Sequence, residues 1–134
     1  MTPYIHFKGT CREAMTAYQA LFGGRLDLMD YGQMPGASEV QKASGRIMHA
    51  ALMSEEVGDL QASDFPTGFD GDDQKGVSIS IQLDSAERTK EVFETLAVGG
   101  AEIHPLMPTF FSPAFGMVKD RFGTHWILST TPSA

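Results

Sequence analysis

His49 lies inside an apolar run, Ile47-Met48-His49-Ala50-Ala51-Leu52. An imidazole placed there loses hydration unless its polar edges meet a protein group or a ligand. Burial would favour its neutral form, which can accept a proton near neutral pH and serve as a general base. Asp64 opens a loop after a strand and can either orient a histidine or cap its own turn. His125 is the third candidate for proton chemistry. His6 and His104 read as peripheral, the latter preceding Pro105 in a bend or strand-edge setting. At each position a hydrogen-bonded structural side chain is the alternative. A different chemistry, stacking on a planar ligand, is offered by Met107 to Gly116, where Phe110 and Phe111 sit between prolines. Together with Trp126 they could form a wall or lid, or equally a hydrophobic contact with a second copy.

These residues need elements to hold them, and a weak internal repeat supplies the outline. Thr10-Cys11-Arg12-Glu13 has the form of a capping box, followed by an apolar helix stripe of Ala14, Ala17, Tyr18 and Leu21 and a Gly23-Gly24 stop. Asp84-Ser85-Ala86-Glu87 opens a second copy, with the stripe Thr89, Val92, Phe93 and Leu96 and the stop Gly99-Gly100. A strand precedes each helix, at Tyr4 to Phe7 and at Val77 to Leu83. Three strand candidates follow each: Arg25 to Tyr31, Arg46 to Met53 and Leu60 to Ser63, then Glu102 to Leu106, Met117 to Asp120 and Thr124 to Thr130. Strand, helix and three strands are thus given twice, a repeat of half-domain length rather than a solenoid unit. The reading is one domain of two modules: module one about 1–65, a linker about 66–76, and module two about 77–131. Residues 32–45 read as a long polar insertion.

The 134 residues suit one domain with a sizeable core, and 42% hydrophobic with 20% charged residues is an ordinary globular balance. A net charge of -7 with no basic run argues against nucleic-acid and membrane-surface roles. The single cysteine, Cys11, excludes an internal disulfide framework and fits a reducing compartment. Neither a secretory signal pattern nor a membrane-length apolar run is present, so the expected setting is cytoplasmic.

Several segments carry a resemblance: Pro3-Tyr4-Ile5 with Ala14 and Tyr18, Phe22-Gly23-Gly24, Ile47-Met48-His49-Ala50 and Ala62-Ser63-Asp64. The most specific is Phe115-Gly116-Met117-Val118-Lys119-Asp120-Arg121-Phe122-Gly123 followed by Trp126. The chain resembles the vicinal-oxygen-chelate superfamily of glyoxalases, bleomycin-resistance proteins and dioxygenases, and within it the PhnB-like subgroup, from Pro3 to Leu128. The resemblance implies an α+β fold in which two βαβββ modules form a curved, cup-shaped mixed sheet with helices on the outer face. It also places the usual metal-ligand positions at Pro3, Ala62, Ser78 and Ile127, none of which carries the expected His or Glu. The expectation is therefore no metal and no cofactor. Some relatives carry a methyltransferase label, but no Gly-rich loop joins the first strand to its helix as a nucleotide-like cofactor requires.

On strand parity, the cup face would carry Pro3, Ile5 and Phe7; Ala62 and Asp64; Ser78, Ser80 and Gln82; and His125, Ile127 and Ser129. The expected ligand contacts are Phe7, Ser78, Ser80, Gln82, Phe110, Phe111 and Trp126, with His49, Asp64 and His125 as the candidates for catalysis. Three readings stay open. The protein binds a small organic molecule without turning it over; it is an enzyme of lyase, isomerase or dioxygenase type using His49 or His125 as base or metal ligand; or it is a structural dimer. A homodimer is the expected assembly.

Overall fold

The computed structural model describes residues 1–132. Module one contains β1 (Tyr4–Phe7), α1 (Cys11–Phe22), β2 (Arg25–Asp30), α2 (Glu39–Ser44), β3 (Ile47–Ser54) and β4 (Gly58–Asp64). Module two contains β5 (Ile79–Leu83), α3 (Ala86–Ala97), β6 (Ala101–Met107), β7 (Phe115–Lys119) and β8 (His125–Thr130). The class is α+β, with one mixed four-stranded sheet per module, ordered β1-β4-β3-β2 and β5-β8-β7-β6. In each sheet the first strand of the module pairs in parallel with the last, and the other pairs are antiparallel. The chain separates into a compact unit Met1–Asp73 and a second from Gln74 onward.

The helices form where apolar stripes recur, but the two stripes are not equally simple. α3 buries Thr89, Val92, Phe93 and Leu96, the four residues its periodicity predicts. α1 buries Cys11, Ala14, Met15, Tyr18 and Phe22, while Ala17 and Leu21 lie half-buried on its flank. Large buried side chains such as Tyr18 and Met15 each contribute about 1.5–3 kcal/mol. The caps differ from the sequence pattern. The Thr10 side chain makes no cap bond, and Ser85 rather than Asp84 caps α3 by accepting from the Arg88 N–H. In both modules the second glycine of the stop is sterically required: a Cβ on Gly24 would strike the Met53 backbone, and one on Gly100 the Lys119 backbone.

The stretch read as a polar insertion is partly ordered. It folds into a 3-10 turn at Tyr31–Gln33 and then α2, each opened by a reciprocal box, Asp30 with Gln33 and Ser38 with Gln41. Past β4, the chain as far as Asp73 stays tied to module one. Arg46 Nη1 donates to the Phe65 carbonyl at 2.9 Å and to Asp70 at 3.1 Å, and Lys8 pairs with Asp73 at 2.9 Å. Among the described residues, no helix is long and apolar enough to cross a membrane.

Candidate functional site

α1 packs on one face of the module-one sheet, and that face takes the apolar members of each strand. Ile5 and Phe7 are buried there, as are Ala50, Leu52, Leu60 and Ala62. Strand register then fixes the opposite face. Tyr4 and His6 pair with Gln61 and Ser63, Gln61 pairs with Ala51, and His49, two residues from Ala51, pairs with Met29. The expected parity was therefore off by one residue in β1 and β4. Phe7 is a core residue at 3% exposure rather than a ligand contact, because β1 buries its apolar alternates against α1.

A bulge shapes the His49 position. Met29 stands opposite His49 and Asp30 opposite Ile47, which leaves Met48 as the extra residue of β3. The extra residue resets the alternation, so Ile47 enters the core while His49 stays on the far face.

Four rings form a row across that face. Phe65 stacks on His6 with centroids 5.1 Å apart and planes 10° from parallel. His6 lies 5.1 Å from Tyr4, and Tyr4 lies 5.7 Å from His49. The imidazoles are fixed by hydroxyls: Tyr4 Oη is 3.2 Å from His49 Nδ1, and Ser63 Oγ is 3.2 Å from His6 Nδ1. Neither Nε2 has a hydrogen-bond partner among the described residues. Tyr31 stands nearby, its hydroxyl donating to the Asp64 carbonyl at 2.7 Å, and burial raises its pKa. Tyr4, His6 and Phe65 were not among the sequence candidates. The signal was present in Tyr4-Ile5-His6-Phe7, whose apolar alternates must face a helix and send the polar ones the other way.

Asp64 does not orient a histidine. At 1% exposure, its Oδ1 accepts from the Gly9 and Cys11 N–H groups at 2.8 and 3.0 Å, and its Oδ2 from the Ile47 N–H at 2.8 Å. It therefore joins the β1–α1 loop to the start of β3. The same bonds occupy amides at the head of α1 that a phosphate-bearing cofactor would use. Burial and the Asp64 charge push the Cys11 thiol up to about 12, so Cys11 is an inert core residue.

In module two, α3 packs on one face of the sheet, and Ser80 and Gln82 alternate away from it, paired with Ile127 and Ser129. Ser78 is exposed and precedes β5. His125 shares the Ile127 parity, is half-buried, and its Nδ1 has no hydrogen-bond partner among the described residues. Trp126 faces the other way. It is 2% exposed, and its indole N–H donates to Asp120 at 2.8 Å, so it forms no wall with Phe110 and Phe111. Those two rings instead continue an edge-to-face series through Phe115 to His104, with Phe110 fully exposed.

The donor set does not suit a transition metal. Pro3, Ala62, Ser78 and Ile127 supply no strong ligand, Ala62 lies in the core, and no group of three His, Cys, Asp or Glu is gathered among the described residues.

The family model described as 3-demethylubiquinone-9 3-methyltransferase matches residues 1–129. The crystal structure of protein PA1353 from Pseudomonas aeruginosa is 36% identical, with a TM-score of 0.89 over 99% of this chain and 98% of that one. A putative 3-demethylubiquinone-9 3-methyltransferase, PhnB protein, from Bacillus cereus is 25% identical, with a TM-score of 0.77 over 98% of each chain. A glyoxalase/bleomycin resistance protein/dioxygenase family enzyme from Burkholderia phytofirmans PsJN shares the fold at 10% identity, with a TM-score of 0.64 over 98% of this chain and 97% of that one. With nearly its whole length matched, and with the paired modules and register described above, the chain belongs to the PhnB-like family whose model bears the 3-demethylubiquinone-9 3-methyltransferase description, within the glyoxalase/bleomycin-resistance/dioxygenase fold.

Proposed function

We propose that the protein binds a small planar organic molecule on the face of module one away from α1, without a metal and without turning the molecule over. The observation that carries this reading is the ring row Phe65–His6–Tyr4–His49, which offers stacking surface beside two imidazole Nε2 atoms. A second copy of the chain is the proposed partner, with Ile103, Met107, Phe110 and Phe111 as exposed apolar surface to be covered. The single cysteine, free and buried, supports a reducing, cytoplasmic setting.

Native mass spectrometry of freshly purified protein tests the reading. The expected spectrum is a dimer carrying an organic adduct and no stoichiometric metal. His49→Ala should weaken adduct binding about tenfold, the scale of a hydrogen bond to a charged group. Its thermal midpoint should move little, because His49 is only half-buried. Equal adduct occupancy in wild type, His6→Ala and His49→Ala would place the ligand elsewhere.

A further inference from the structure

We infer that His49 meets its ligand as a hydrogen-bond donor, so that the site selects planar molecules bearing a carbonyl or carboxylate oxygen. The inference rests on the ligand-binding reading of module one and gives it a polarity. Its starting point is the contact between Tyr4 Oη and His49 Nδ1 at 3.2 Å. A phenol is a good donor and a weak acceptor, since its oxygen lone pair is delocalised into the ring, whereas an unprotonated imidazole nitrogen is a strong acceptor. The favoured pairing is Tyr4 O–H donating to Nδ1. A neutral imidazole that accepts at Nδ1 carries its proton on Nε2. Protonation of His49 adds a proton at Nδ1 and leaves the Nε2–H in place. In both charge states Nε2 is therefore an N–H donor, and Tyr4 acts as the positioning residue that sets the tautomer.

The surroundings fit this polarity. His6 has its Nδ1 against Ser63, stacks on Phe65 and lies tilted at 42° beside Tyr4, so a flat ring has aromatic surface beside the His49 donor. Met29, opposite His49 on β2, offers no competing acceptor of any strength, and Asp27 two residues on is paired with Arg25 at 3.1 Å. An aromatic row on an acidic chain would by itself suit an organic cation through its ring faces. The His49 N–H opposes that choice, since a donor facing a cation is repelled.

The test combines imidazole nitrogen NMR with three probes of one shape: benzoate, benzamide and benzylamine. Long-range proton–nitrogen correlation should show His49 as the Nε2–H tautomer in the neutral protein, and Tyr4→Phe should turn that single pattern into a tautomer mixture. Benzoate and benzamide should shift the His49 Nε2 resonance and bind about tenfold or more tightly than benzylamine, with the difference lost in His49→Ala. An Nδ1–H tautomer in wild type, or benzylamine binding as well as benzamide at the same ring row, would overturn the donor assignment while leaving the face as a ligand site. If none of the three probes perturbs Tyr4, His6, His49 or Phe65, the face is not a ligand site and the inference falls with it.

Discussion

The two modules repeat one order of elements and differ in where their chemistry lies. On the face away from its helix, module one presents Tyr4, His6 and His49, with hydroxyl partners holding both imidazoles. Module two presents Ser80, Gln82, His125, Ile127 and Ser129, and the rings of Phe110, Phe111 and Phe115 collect at the β6–β7 end, where Phe110 and Phe111 are exposed. The buried carboxylates show the same divergence. Asp64 accepts three amides that are 17, 53 and 55 residues away in sequence. Asp120 accepts from Phe122, Thr124 and Trp126, all within six residues. Module one is thus tied across its sheet by a single side chain, and module two uses the equivalent chemistry to close a local turn. The two modules share a frame, and the helix-free face and the turn carboxylate carry the differences.

The sharpest way to break this comparison is at the two carboxylates. Asp64→Ala strands three amides, two of them buried, and should cost about 4 kcal/mol, whereas Asp120→Ala should cost about 3 kcal/mol because its turn can relax locally. Asp64→Asn should fall between Asp64→Ala and wild type, since one amide NH2 would face an N–H that the carboxylate now satisfies. Chemical denaturation of the three variants checks the order. A larger loss for Asp120→Ala would show that the long-range role assigned to Asp64 is misplaced.

A smaller effect distinguishes the cores. The Cys11 thiol stands near 12 against an ordinary 9.0. The folded protein keeps a proton on this thiol that the unfolded chain releases, so the thiol's contribution to stability is constant below about pH 9 and falls as pH rises from there towards 12. At pH 10 the loss should be about 1 kcal/mol, and Cys11→Ala should remove this part of the slope. Denaturation midpoints at pH 8 and pH 10 measure it; an unchanged slope in Cys11→Ala would assign the dependence to other groups.

Much of the frame was legible in the residues, and the reasons for the exceptions are physical. Stripe and stop signals located both long helices, since periodicity reports burial directly. α2 was not seen because its six residues carry no apolar stripe, although the Ser38–Gln41 box marked its start. The site was harder to read. In module two the parity of Ser80, Gln82 and Ile127 followed from clean alternation in β5 and β8. In module one the face was assigned from a ligand position at Pro3, and a one-residue slip in a period-two pattern exchanges the two faces. That slip put Phe7 on the site and left Tyr4 and His6 off it. Asp64 was recognised as a turn or orienting residue, but its three amide partners come from elements that only tertiary folding brings together.

We propose that ligand chemistry resides on module one rather than on the exposed aromatics of module two. A crystal structure of the protein with benzamide tests it most directly. The expected result is ordered benzamide along Phe65, His6 and Tyr4, its carbonyl oxygen within hydrogen-bond distance of His49 Nε2. Benzamide found only against Phe110, Phe111 and Phe115, with the module-one row untouched, would contradict it.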